Sequence, residues 1–111
     1  MKLVQKIEKG QLLSSEWGIY ELSTEEAQKY GGKFALSQGI FSDYAIENMG
    51  VDELLSGLRE HAYEGFFETQ KEAYYQVKLV EMQCKIERLE YAIKDLQVVK
   101  EIPTPNWYNN N

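Results

Sequence analysis

Apolar and polar residues alternate in three short stretches near the start of the chain. Lys2–Ile7 alternates along its length, Glu16–Leu22 carries Trp17, Ile19, Tyr20 and Leu22, and Lys33–Phe41 carries Phe34, Leu36, Ile40 and Phe41. Period-two patterning of this kind predicts strands, and Lys9-Gly10 with Ser14-Ser15 punctuates the first connection. Between the second and third strands, Ser23 followed by Glu26 reads as a capping box. Each side chain there satisfies an amide that the other's backbone leaves without a partner, and Gly31-Gly32 closes the far end of the short helix. Residues 1–41 therefore predict a small antiparallel sheet with one inserted helix.

The pattern changes after Phe41. Ser42 or Asp43 can cap a short helix ending near Gly50, and Asp52 opens a proline-free stretch that reaches about Val99. One straight helix over that stretch would be ~70 Å long. A compact chain of this size is only ~35 Å across. The helix is expected either to break, at Gly65 first and Gly57 second, or to protrude and meet a partner. Fold class is α+β: one domain over 1–102, with a β-rich part (1–41) and a helical part (42–102). The proline-containing segment 103–111 is expected to be a flexible tail in which Trp107 and Tyr108 are either a docking element or loose aromatic residues.

Within the helical part, Tyr75, Leu79, Met82, Ile86, Leu89, Ile93 and Leu96 are spaced 4, 3, 4, 3, 4, 3. That is the heptad period that keeps one stripe against a neighbouring helix. With Leu79, Ile86 and Ile93 at position a, the other four fall at d, a distribution that favours a parallel pair. Lys85 at g and Glu90 at the following e would attract across such a pair. Glu81–Lys85 and Glu90–Lys94 are expected to knit the outer face in the favoured order. The same stripe could instead pack on the protein's own sheet or on the helix before Gly65. Ala73, Val77, Val80 and Cys84, however, form a second apolar face opposite the seam. A helix apolar on two faces needs two things to pack against. One face is expected to meet the sheet, and the seam is expected to pair two copies of the chain. Cys84 then serves as a small buried hydrophobe.

Charge sharpens this picture. The chain carries 12 basic and 18 acidic residues, a net charge of −6, and residues 43–72 hold the whole excess. A field so concentrated attracts basic partners and disfavours nucleic acid or anionic membrane. Glu60, Glu64, Glu68 and Glu72 stand four apart. On a helix they would be like-charged neighbours costing about 0.2–0.5 kcal/mol per pair. Three readings compete for them: a solvated face, a docking surface for a basic protein, and a metal site built from Glu60, His61, Glu64 and Glu68. The spacing of ~6 Å approximates a phosphate repeat, so a docking surface of this kind could mimic nucleic acid, as some small phage-encoded inhibitors do. The metal reading is the weakest, because the chain has a single histidine and the Glu-x-x-His order of carboxylate bundles is reversed.

No glycine-rich phosphate loop, catalytic triad or isolated acid–base pair stands out. The lone Cys84 and the absence of an apolar leader or spanning stretch suggest a cytoplasmic, bacterial or viral protein without internal disulfides. The sequence thus predicts a non-catalytic module with no cofactor. It would dimerise through the seam and engage a basic, nucleic-acid-handling protein through Glu53, Glu60, Glu64, Glu68 and Glu72. A structural oligomerisation component of a larger assembly is the alternative.

Overall fold

The structure, a computed structural model, describes the backbone of residues 1–101 and side chains to Leu96. The segment 103–111 with Trp107 and Tyr108 lies outside the described residues. Four strands form one antiparallel sheet in the order β1-β2-β3-β4: β1 Lys2–Ile7, β2 Trp17–Glu21, β3 Phe34–Gln38 and β4 Gly65–Phe67. The expected α+β class is the one observed. Strand β2 connects to β3 through α1 (Thr24–Tyr30). Strand β3 connects to β4 through α2 (Asp43–Met49), α3 (Val51–Gly57) and a short 3₁₀ turn at Leu58–Glu60. Helix α4 then runs from Gln70 to Glu101.

Local chemistry sets most of these boundaries. The Ser23–Glu26 capping box forms in both directions, at 3.2 and 2.9 Å, and Gly31 ends α1 in the left-handed conformation (φ 85°). Ser42 caps α2 by accepting from the Ala45 amide at 3.1 Å. The third strand is shorter than its apolar pattern suggests, because Gly39 turns the chain away at φ 87°.

Alternation in the strands loads both faces of the sheet. Trp17, Ile19 and Leu36 join Ile7 and Leu13 on one face, and Ala73 and Val77 of α4 pack onto them. Tyr20, Leu22 and Ala35 look the other way, toward Tyr30 of α1 and Leu55 and Leu58 of the α3 region. The sheet is therefore covered on one side by α4 and on the other by the shorter helices. A hydrogen-bonded group ties α1 to α3. The Tyr30 hydroxyl donates to Asp52 Oδ1 at 2.9 Å, and Lys29 Nζ meets the same oxygen at 3.0 Å. Arg59 donates to the Lys29 carbonyl at 3.2 Å and lies over the stacked rings of Tyr30 and Phe66.

Of the two alternatives for the proline-free stretch from Asp52 to about Val99, a break or one protruding rod, the structure shows a break. The stretch breaks at both glycines: α3 ends at Gly57, and Gly65 enters β4 at φ 151°, a backbone conformation that L side chains rarely adopt. The physical reason lies in Phe66 and Phe67. As neighbours in a strand they point to opposite faces, Phe66 into the Tyr30 cluster and Phe67 toward the Trp17 cluster, so both rings are covered. On a helix they would share one side. Gly32 completes the arrangement, since a Cβ there would sit 2.7 Å from the Phe67 nitrogen. Only a glycine lets β4 come this close.

The chain is elongated, with extents of 71 × 27 × 22 Å and a radius of gyration of 20.8 Å. A compact chain of this length would have a radius of gyration of about 13 Å. The excess comes from α4, whose 32 residues make a rod of ~48 Å.

Candidate interaction surface

Helix α4 starts where Thr69 Oγ1 accepts from the Glu72 amide at 3.1 Å, with Glu72 in the first turn, where the helix dipole favours an acid. Its first four turns are held by the domain. Ala73 and Val77 are fully buried, Tyr74 and Val80 pack beside them, and the Gln70 amide donates to Gln5 Oε1 at 2.9 Å. Cys84, half-buried beside Leu12, is a free thiol on this same side. A final tie runs from Arg88 Nη2 to the Gln11 carbonyl at 2.7 Å.

Beyond Cys84 that hydrogen bond to Arg88 remains, but among the described residues the domain buries no side chain of the helix. Every side chain from Lys85 to Leu96 is exposed. The predicted face opposite the seam meets the sheet as expected, and the seam itself is left open. Tyr75, Leu79, Met82, Ile86, Leu89, Ile93 and Leu96 are all exposed, from 47% at Ile86 to 61% at Leu96. The reading in which the stripe packs on the protein's own sheet is thereby excluded. Seven large side chains line one continuous face ~32 Å long.

The electrostatics along α4 differ from the sequence pattern, since among the described residues neither expected pair, Glu81–Lys85 nor Glu90–Lys94, forms. Glu81, expected to pair with Lys85, instead meets Lys78 at 3.2 Å. Lys78 also lies over the Tyr74 ring, and Lys71 over the Tyr75 ring. Among the described residues, neither Lys85 nor Glu90 makes an ion pair within its own chain.

The acidic residues are distributed otherwise than the four-residue spacing implies. Glu53 lies in the first turn of α3, Glu60 on the 3₁₀ turn, Glu64 in the connection before β4, Glu68 just after β4, and Glu72 at the start of α4. Glu60, Glu64, Glu68 and Glu72 thus occupy four structural contexts in place of one helix face, so the proposed row of carboxylates at helical spacing is corrected. The cause is the same strand β4 that breaks the helix. Glu53 faces a depression between α1 and α3 that also holds Glu25, Glu26, Asp52 and Lys29, whereas Glu68 faces a separate one with Glu21 and Lys33.

Glu64 differs from its neighbours in being half-buried. Loss of solvent pushes its carboxyl above the ordinary range, against the opposing pull of the His61 charge and of a hydrogen bond from the Gln38 backbone. Among the described residues no three His, Cys, Asp or Glu side chains gather in a way that could hold a metal ion, so Glu60, His61, Glu64 and Glu68 do not converge. Also among the described residues, no helix is long and apolar enough to cross a membrane.

No protein-family model, curated protein or solved structure matches this chain.

Proposed function

We propose that this chain is a non-catalytic self-association module in which the α4 seam pairs two copies. One observation carries the reading: α4 continues about three turns past its last buried contact as a helix exposed on all sides, yet keeps its apolar stripe to Leu96. Isolated helices of fewer than ~12–15 residues are marginal in water, and most helical stability in proteins comes from packing an apolar face. A second copy of the same seam supplies that packing.

The size of the surface points to a weak pair. Full burial of a Leu or Ile side chain is worth ~1.5–3 kcal/mol, equivalent to ~60–120 Å² at ~25 cal/mol per Å². Seven seam side chains per chain, about half exposed, then remove on the order of 500–800 Å² in a pair, with flanking residues adding to it. That total falls short of the smaller specific interfaces, which lie near ~1,200 Å², so the flanking residues have to supply the rest. The predicted affinity is accordingly weak. Replacing Ile86 and Leu89 together by aspartate tests the reading: sedimentation should show monomers with an intact circular-dichroism spectrum. An unchanged mass would place the association elsewhere.

A second reading rests on charge. The segment 43–72 carries the entire net −6, and a basic protein, such as one that handles nucleic acid, is the partner that such a field draws in. In this reading Glu53, Glu60, Glu64, Glu68 and Glu72 act as a distributed acidic surface. Reversing Glu60 and Glu68 to lysine should abolish capture of such a partner without unfolding the chain. Retained capture would leave the acids as solvating groups.

A further inference from the structure

Granting that the seam pairs two copies, we infer that they lie parallel and in register, with both sheet domains at one end of the pair. This inference rests on the self-association reading and concerns its geometry.

Two arrangements bring the whole seam together. In the parallel one each residue meets its own copy, so Ile86 faces the partner's Ile86 and Leu89 the partner's Leu89. In the antiparallel one Leu79 faces the partner's Leu96, Met82 its Ile93 and Ile86 its Leu89. Both cover all six residues from Leu79 to Leu96, so apolar burial does not separate them.

The flanking charges do. In a parallel pair a g residue faces the partner's following e residue. Lys85 then meets the partner's Glu90, and this happens twice, once on each side of the axis. In the antiparallel register g faces g and e faces e. Lys85 would then meet the partner's Ala92, and Glu90 the partner's Gln83, with no attraction gained. Lys85 and Glu90 are both exposed and are unpaired within their own chain among the described residues. Within a parallel coil, β-branched Ile86 and Ile93 at a with Leu89 and Leu96 at d favours two strands over three or four.

The fold raises no obstacle to this sense. Each sheet contacts the Ala73–Val77–Val80 side of α4, away from the seam, so two domains at the same end flank the paired helices without overlapping. The acidic connection 43–64 lies mostly beyond the sheet, on the side away from α4. Counting the two helices, two sheets and two outer helix layers at ~10 Å each puts the two acidic faces several tens of ångströms apart. That exceeds the ~8 Å screening length at physiological salt, so these acids do not oppose the parallel sense. Glu72, one heptad before Leu79 on α4, does face its own copy, a like-charge contact that the two Lys85–Glu90 contacts have to outweigh. The acids of 43–64 would point outward on opposite flanks, whereas Glu72 would face its own copy at the mouth of the helix pair.

Single cysteines test the sense directly. In a Cys84→Ser background, Leu79→Cys and Leu96→Cys are made separately and oxidised alone and mixed. A disulfide needs Cα atoms within ~7 Å. A parallel pair predicts that each variant cross-links to itself. In the antiparallel register position 96 is ~25 Å along the axis from its own copy, so only the mixture would cross-link. Cross-linking confined to the mixture would overturn the parallel sense and leave the dimer standing. No cross-link in any combination, together with a monomer mass for the unmodified protein, would overturn the self-association reading itself.

A second readout leaves the seam untouched. Lys85→Glu should weaken the pair about tenfold by placing two acids opposite each other, and adding Glu90→Lys should restore it. No effect from Lys85→Glu would contradict the parallel arrangement.

Discussion

Two alanine substitutions on opposite faces of α4 should have opposite consequences. Leu89 is 55% exposed and Val77 is fully buried against Trp17, Ile19 and Leu36. In an isolated chain, Leu89→Ala removes little buried surface and keeps a good helix former, so fold stability should stay within about 0.5 kcal/mol of the parent. In the pair, the exposed half of Leu89 becomes buried. Half of the ~1.5–3 kcal/mol for a fully buried Leu is about 1 kcal/mol, and each pair contains two copies. Adding the gap left at the seam brings the loss to ~2–4 kcal/mol per pair, or ~30- to 1,000-fold in the dissociation constant. Val77→Ala should do the reverse. It opens a cavity in the core and costs about 2 kcal/mol of folding free energy, which lowers the melting temperature by ~10 °C. Sedimentation equilibrium reads the association and circular-dichroism melting under dissociating dilution reads the fold. The reasoning is refuted if Leu89→Ala lowers the melting temperature of the dilute protein as much as Val77→Ala does, or if it leaves the dissociation constant unchanged.

Other substitutions probe the rest of the fold. Gly32→Ala forces a methyl group into the Phe67 backbone at 2.7 Å and should cost ~1–3 kcal/mol, seen as a lower denaturant midpoint. An unchanged midpoint would mean that β4 does not hold its place against β3. Glu64→Gln should act through pH. Burial raises the Glu64 carboxyl in the folded state, so the native form binds the proton more tightly than the unfolded chain does. Stability from this group is therefore lost as pH rises from the ordinary glutamate range through the raised value. Glu64→Gln should raise the melting temperature at pH 7 relative to the parent, with the difference shrinking toward pH 4. A constant difference across that range would remove Glu64 as its source.

Much of the architecture was legible in residues that act locally. Ser23 with Glu26, Gly31 and Ser42 each do their work within four positions, and the structure places each at the helix end that its sequence context predicts. Two apolar faces on α4 were legible for the same reason, since a helix spaces its own residues regardless of what surrounds it. Strand β4 was not. Three residues cannot display a period, and Gly65-Phe66-Phe67 is a strand only because two clusters on opposite sides of the sheet each take one ring. That information sits in Tyr30, Ala35 and Trp17, distant in sequence. The error then propagated: Glu60, Glu64, Glu68 and Glu72 are evenly spaced in sequence, but even spacing makes a face only where the chain between them is one helix. The one available signal was Gly65 followed by two aromatic residues, a glycine at which the sequence anticipates a break.

The mass of the unmodified protein in solution tests the central claim most directly. One chain is 12.9 kDa. Sedimentation equilibrium at high micromolar concentration should give a mass twice that of one chain, falling toward a single chain on dilution. A value that stays at one chain throughout would contradict the pairing of α4 seams.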